Sequence, residues 1–205
     1  VYSALAIKPQ VEHDAAGREL DSGGVIIDGN SLTARMFGIE VDGTGGDPTQ
    51  GQLRQLLIRN NDIQLNDFAG VYLLRADGPI LTQNTITFNG SDASRRGVDG
   101  RPAIADTLST GIYADLLVTS PVIEQNIITR TADAVDARVM QNAVVLNEAT
   151  VTGAVVRNNT FRRHLDAWIH SPCGQDLGMN DRDGIYDRTG GEHMIVDNVC
   201  EEAVP

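Results

Sequence analysis

Three of the four tyrosines share one local context: a glycine, an apolar residue and then the tyrosine. They are Tyr72, Tyr113 and Tyr186. Exposed aromatic rings stacked at a regular spacing could bind sugars, because such a ring offers a flat apolar face beside a polar hydroxyl. A purely structural stack of tyrosines, or tyrosines packed beneath a loop, is the alternative that this pattern leaves open.

Charged residues recur two positions further along the same kind of segment. Side chains two apart on a strand point to one face, so Asp42, Asp115 and Arg188 would flank the tyrosine positions. Glu40 takes the place of the tyrosine in the segment GIEVD. Asp42 and Asp115 could hold a cation, while Arg188 could face a substrate carboxylate or act as a base. A solvated acidic face is the competing interpretation.

The stretch of residues 162–183 also carries side chains suited to chemistry. His170 could act as an acid or a base, and Trp168 is the only tryptophan. Trp168 would lie in a loop over the tyrosines or, if DAWIH is a strand, within their column. Ordinary surface histidines explain the stretch equally well, and His13 and His193 show no partner in the sequence.

The stretch DGTGGD, from Asp42 to Asp47, is rich in glycine and aspartate and looks like part of a calcium-binding turn. Calcium binds carboxylate and backbone carbonyl oxygens, so it is the cofactor that Asp42 and Asp47 would bind. A single copy is also explained by an ordinary turn before a strand, and both interpretations stay open.

An asparagine motif indicates the elements that position these side chains. Six of the 13 asparagines have apolar residues at positions −4, −3 and +2. Between 23 and 42 residues separate successive copies, and loop insertions into a repeat architecture produce such variable spacing. The six are Asn30, Asn61, Asn84, Asn126, Asn159 and Asn198.

Each repeat reads as a glycine, a strand, a turn, a second strand, the asparagine bend and a third strand. One unit cannot bury its apolar side alone, so stacked units would pair each strand with its copy in the next coil. We expect the asparagine to take the left-handed conformation of the bend and its amide to join an inward ladder. We take the second residue of each first-strand segment to point inward, and its neighbours alternate from there. In the unit NAVVL, Ala143 would then point inward and Val144 and Leu146 outward.

These motifs resemble the right-handed parallel β-helix of the pectate-lyase-like superfamily, whose coils carry an asparagine ladder between the second and third strands. The resemblance covers residues 25–200. It implies an all-β solenoid of about five to six coils, with long loops on one face, in a single domain over residues 1–205 that could belong to a longer chain. It also implies a substrate groove on the first-strand face. The signature strings of polygalacturonase-like hydrolases and classical pectate lyases are absent, so an enzyme here would belong to a divergent branch.

Two functional hypotheses follow. One is a non-catalytic adhesin, spike or fibre subunit that self-associates through uncapped β-helix ends. The other is a secreted or cell-surface domain that binds a polysaccharide and, as an enzyme, would cleave it as a lyase or hydrolase. Its site residues would be Asp115, Arg188 and His170 for catalysis, Tyr72, Tyr113, Tyr186, Trp168 and Glu40 for substrate binding, and Asp42 and Asp47 for the metal.

The composition argues against other partners. The net charge of −12 disfavours nucleic acid and anionic membranes. No run of about 18 apolar residues is present to span a membrane. Cys173 and Cys200 could form a disulfide that closes the last segment, or could remain two free thiols.

Overall fold

A computed structural model of the chain describes residues 3–8, 24–43, 52–65, 68–89, 110–131, 143–163, 181–182, 185–187 and 189–202. In these ranges the backbone forms 21 short strands and no helix. A helix of the length and apolarity needed to cross a membrane is therefore not found among them.

The strands are numbered in chain order, and most belong to three sheets. The first sheet contains, in spatial order, β1 (Ser3–Ile7), β4 (Phe37–Asp42), β8 (Ala69–Leu74), β12 (Thr110–Ala114), β15 (Val144–Leu146), β19 (Ile185–Asp187) and β18 (Asp181–Arg182). The second contains β2 (Val25–Asp28), β6 (Leu56–Arg59), β10 (Ile80–Thr82), β13 (Val122–Glu124), β16 (Val155–Arg157) and β20 (Met194–Val196). The third contains β3 (Ser31–Ala34), β7 (Asp62–Leu65), β11 (Thr85–Asn89), β14 (Ile127–Thr131), β17 (Thr160–Arg163) and β21 (Val199–Glu202). A two-stranded sheet pairs β5 (Leu53–Arg54) with β9 (Ala76–Asp77).

Each coil contributes one strand to the first, second and third sheets in turn, so the part of the chain that the structure describes forms six coils. Strands of neighbouring coils pair in parallel, and the added strand β18 pairs with β19 in the antiparallel sense. Backbone hydrogen bonds therefore run from coil to coil, as stacked repeats require. The predicted parallel β-helix of five to six coils is confirmed.

The core lies between the three sheets and consists of inward side chains stacked in columns. The apolar residue at position −3 of each asparagine motif points inward, and in the second to fifth coils it is fully buried. Burial of one aliphatic side chain contributes about 1.5–3 kcal/mol, so stacking stabilises what a single coil could not bury. The column from the second sheet is Ile27, Ile58, Leu81, Ile123 and Val156.

The asparagine ladder closes the bend between the second and third sheets. In each of five steps, Nδ2 of one asparagine donates to Oδ1 of the next at 2.9–3.0 Å. The backbone nitrogen of the same asparagine donates to that Oδ1 at 2.9–3.1 Å. The four central members are at most 2% exposed, and their amides are satisfied. The predicted inward ladder is confirmed.

The left-handed backbone of the bend belongs to the residue before each ladder asparagine. The value of φ is +70° at Gly29 and between +54° and +57° at the other five positions. The expectation that the ladder asparagine itself would be left-handed is wrong. The preceding residue makes the turn with its side chain exposed, and the asparagine can then point inward. The other five residues are Asn60, Gln83, Gln125, Asn158 and Asp197.

Glycine begins the first-sheet motif where two coils approach closely. A Cβ at Gly111 would lie 2.7 Å from the carbonyl oxygen of Ala143, and a Cβ at Gly38 would lie 2.6 Å from that of Gly70. Both distances are shorter than real Cβ contacts. Gly38 and Gly111 are therefore required by the packing of neighbouring coils.

Candidate functional site

The first sheet aligns the predicted tyrosine positions in one outward column. The register pairs Glu40 with Tyr72 and Tyr72 with Tyr113. The column continues through Val145 to Tyr186. The rings of Tyr72 and Tyr113 stack with centroids 5.7 Å apart and planes inclined by 23°. The predicted stacking of these two rings is confirmed, while the side chain of Tyr186 lies outside the described residues.

Tyr113 is buried, and the expected row of exposed rings is therefore wrong at this position. Its side chain is 4% exposed and belongs to a buried cluster with Phe68 and Val145. Phe68 lies 5.5 Å from Tyr113 and 5.9 Å from Tyr72, measured between ring centroids. Phe37 completes this aromatic cluster (Phe37, Phe68, Tyr72 and Tyr113), 5.1 Å from Phe68. Phe68 lies directly before β8, is itself buried and packs against both tyrosine rings.

Tyr72 remains partly exposed and is linked to the acidic residues. Its hydroxyl donates to Oδ2 of Asp115 at 2.9 Å. Burial of the ring, and next the neighbouring Asp115 carboxylate, raise the pKa of Tyr72 far above its ordinary value. The raised pKa and the bond to Asp115 both favour the protonated phenol, which acts here as a hydrogen-bond donor.

The Asp115 carboxylate is oriented by two donors. Oδ2 accepts from Tyr72, and Oδ1 accepts from Nδ2 of Asn147 at 3.0 Å. Asn147 Nδ2 also lies 3.4 Å from Oε1 of Glu148. A carboxylate has about four acceptor positions, so two bonds orient Asp115 without saturating it. We call this arrangement the Tyr72–Asp115–Asn147 group.

Asp115 lies in a second outward column with Asp42 and Leu74, as predicted. The register pairs Asp42 with Leu74, and backbone hydrogen bonds place Asp115 next to Leu74 and Asn147 next to Asp115. Asp42 and Asp115 are therefore two coils apart. At about 4.8 Å per coil, their backbones are separated by roughly 10 Å.

The register predicted for the segment NAVVL is wrong by one residue. Val144 and Leu146 were expected to point outward, but both are fully buried in the core. Val145 and Asn147 take the outward positions, because Ala143 pairs with the glycine of the preceding coil. Alternation could not settle this register, since the segment from 143 to 146 is apolar and buried throughout.

The Glu40 side chain is bonded by a residue of β1 and by the residue that follows this strand. Its carboxylate accepts from Ser3 Oγ at 2.6 Å and forms an ion pair with Lys8 Nζ at 2.9 Å. The hydrogen bond to Glu40 raises the pKa of Lys8 above its ordinary value. These contacts join β1 to β4, and a role of Glu40 in substrate binding stays a prediction.

Several predicted site residues lie outside the described residues. In the ranges that are described, no three His, Cys, Asp or Glu side chains are placed to hold a metal ion. A calcium site at Asp42 stays a prediction that also depends on Asp47. Cys173 and the side chain of Cys200 lie outside as well, so the disulfide stays a prediction. The site residues concerned are Asp47, Trp168, His170 and Arg188.

The structure contains a histidine network that the sequence analysis does not predict. The His193 side chain is 1% exposed, and its Nδ1 accepts a hydrogen bond from the Ala154 backbone at 3.1 Å. We therefore assign the proton to Nε2, which lies 2.6 Å from Thr189 Oγ1. Thr189 Oγ1 in turn donates to Oδ1 of Asp187 at 2.7 Å. The network holds the turn between β19 and β20, and the Asp-x-Thr spacing is its sequence signal.

Comparison with known families agrees with the architecture. The model of the family described as right handed beta helix region matches residues 10–199. The chain belongs to this family, and its fold is a right-handed parallel β-helix. No match was found among curated proteins or among solved structures. A fold of this kind does not define an activity, so function is argued from the site.

Proposed function

We propose that this β-helix domain binds a polysaccharide along the outer face of its first sheet. The observation that supports the proposal most directly is the Tyr72–Asp115–Asn147 group. A partly exposed ring can contact the apolar face of a sugar, while oriented carboxylate and amide groups bond its hydroxyls. The buried ring of Tyr113 then supports Tyr72 and does not contact the glycan itself.

The acidic surface restricts the class of glycan. Asp42, Asp115 and Glu148 lie on or beside one column, and the chain carries a net charge of −12. A neutral polysaccharide meets no repulsion from this field, whereas a polyanionic one needs a bound cation. Calcium at Asp42 and Asp47 is the cation that this proposal includes. A secreted or cell-surface location is also part of it, with Tyr186, Trp168 and Glu40 as further contacts.

The proposal also includes cleavage of the bound polysaccharide. The backbones of Asp42 and Asp115 are roughly 10 Å apart. A hydrolase at this site would use these two carboxylates as its acid and base pair, and the distance between the carboxyl groups themselves would decide between retention and inversion. A lyase would need Arg188 or His170 as the base, with a cation to neutralise the substrate.

The test is retention and product analysis with a panel of neutral and acidic polysaccharides, with calcium and with a chelator. The wild-type chain should retain at least one glycan, and Asp115→Asn and Asn147→Ala should each weaken retention about tenfold, the equivalent of 1.4 kcal/mol. Gln64→Ala is the matched control, because Gln64 is exposed on the third sheet. Unsaturated products would identify a lyase and new reducing ends a hydrolase. Retention of no glycan, or equal retention by all variants, would refute the proposal.

The terminal coils favour a second function, a non-catalytic structural or adhesive subunit. Leu32 in the first coil and Ile195 in the last are only partly buried, although equivalent residues such as Ile63 and Val156 are fully buried. Among the described strands, β2 and β20 pair on one side only. Open strand edges can pair with another copy. Oligomers that keep growing with concentration in light scattering would support this function, and a fixed small size would contradict it.

A further inference from the structure

Apolar side chains form a second column on the outside of the molecule. Position −4 of every asparagine motif is apolar and lies on the outer face of the second sheet. Ile26 is 65%, Ile80 40% and Met194 55% exposed. A contiguous exposed apolar surface of this kind marks a contact site. This apolar stripe, paired in register from coil to coil, is Ile26, Leu57, Ile80, Val122, Val155 and Met194.

A charged column runs beside the apolar stripe, two positions further along each strand. In coil order it is Asp28, Arg59, Thr82, Glu124, Arg157 and, in the sixth coil, the apolar Val196. Arg59 pairs with Asp28 at 2.8 Å, and Arg157 pairs with Glu124 at 2.7 Å. The four charged side chains are between 22% and 45% exposed, so they can also meet a partner. From the first coil to the fifth, the charges read minus, plus, neutral, minus, plus.

This order of charges is complementary to itself. Read backwards, it becomes plus, minus, neutral, plus, minus, so that every charge is replaced by its opposite. A second copy that faces the first with its coils in reverse order places Asp28 opposite Arg157. It likewise places Arg59 opposite Glu124, and Thr82 opposite its own copy. The two charge contacts each occur twice, as in an isologous dimer, and the Thr82 contact lies on the axis.

Only one direction of the two-fold axis brings the apolar stripes together while it also places opposite charges against each other. An axis in the interface along β10 reverses the coil order and keeps each column facing its own copy. Ile80 then meets Ile80, and Leu57 meets Val122. An axis parallel to the direction of coil stacking reverses the lateral order of the columns, so it can superpose the apolar stripes or the charged columns but not both at once.

We propose that a second copy of this chain docks on the outer face of the second sheet, related by a two-fold axis along β10. The face that the two copies share is roughly 19 Å long and about 10 Å wide, from five matched coils and three residues per strand. The chain turns on either side of it, for example at Gly78 and Gln83, where φ is +61° and +57°. An area of roughly 190 Å² is well below the 800 Å² per partner of a stable interface. The dimer is therefore weak and reversible.

The experiment is sedimentation velocity over a concentration series, with variants that exchange charges inside one ion pair. The variant Asp28→Arg/Arg59→Glu keeps an ion pair within the chain but places like charges opposite each other in the dimer. The variant Glu124→Arg/Arg157→Glu does the same at the other pair. Each should raise the dimer dissociation constant at least tenfold, and the variant that combines all four exchanges should dimerise like the wild type.

A mixture of the two half-exchanged variants is the most specific control. Each is self-repulsive, but the two are complementary to one another and should form a heterodimer. Ile80→Asp places two carboxylates at the axis and should leave only monomer. A wild type that is monomeric at every concentration, half-exchanged variants that dimerise normally, or oligomers that grow without limit would overturn the proposal. The last result would indicate stacking through the coil ends instead.

Discussion

The contribution of the asparagine ladder can be measured at Asn126, a central and fully buried member. Its Oδ1 accepts from the backbone nitrogen and Nδ2 of Asn84 at 3.0 and 2.9 Å. Its Nδ2 donates to Asn159 Oδ1 at 3.0 Å and to the Leu81 carbonyl at 2.9 Å. Asn126→Ala removes all four bonds at once, while the backbone bond from residue 126 to Asn159 remains.

The expected cost follows from which groups lose a partner. Two donors of Asn84 and the bond to the Leu81 carbonyl are lost in a dry interior, and each unmade bond there costs about 1–3 kcal/mol. We expect Asn126→Ala to lower the free energy of unfolding by at least about 3 kcal/mol, the lower limit for three unmade bonds, and the cavity left by the side chain adds to this loss. This is a large part of the 5–15 kcal/mol typical of a domain.

Asn30→Ala is the matched control, because Asn30 is the exposed first member of the same ladder. After that change Asn61 Oδ1 keeps its bond from the backbone of residue 30 at 3.0 Å, so the loss should be about 1 kcal/mol or less. The assay is urea unfolding followed by far-UV circular dichroism and by fluorescence, which should coincide if unfolding is cooperative. Equal losses for the two variants would refute the reasoning, since they would mean that relaxation or water satisfies the central groups.

Two further predictions concern the first sheet. The raised pKa of Tyr72 means that the unfolded chain releases a phenol proton that the folded chain retains, so stability should fall as the pH rises above about 10. Tyr72→Phe should make this fall shallower in thermal melts between pH 8 and about 11, and an unchanged slope would contradict the assignment. Gly111→Ala should cost about 1–3 kcal/mol because of the clash with the Ala143 carbonyl. In the same melts Gly24→Ala, whose Cβ would meet its nearest neighbour at 3.5 Å, should stay within about 0.5 kcal/mol of the wild type, and equal effects would contradict the packing argument.

The asparagine motif alone was sufficient to predict the coils, because a buried amide at a fixed place in every repeat has few other ways to be satisfied. The motif left open which of its two neighbouring apolar positions faces the core, and the structure buries position −3, as Ile58 and Leu81 show. The same motif misassigned the left-handed residue, which is Gln83 and not Asn84. Residue type alone could not decide which of the two neighbouring polar residues takes the left-handed conformation, since both tolerate a turn. The ladder decides it, because the asparagine must point inward.

The candidate site was predicted less completely than the fold. Alternation along a strand is a local property, so the sequence by itself determined that Tyr72 and Tyr113 stack on the outer face and that Asp115 lies in the next column. Which of these side chains reaches water depends on atoms from elsewhere in the chain. Phe68 packs against Tyr113, and Asn147 from the next coil orients Asp115. Only the tertiary structure decided these contacts, because Phe68 lies outside the repeated motif and Asn147 faces outward only in a register that differs by one residue from the predicted one.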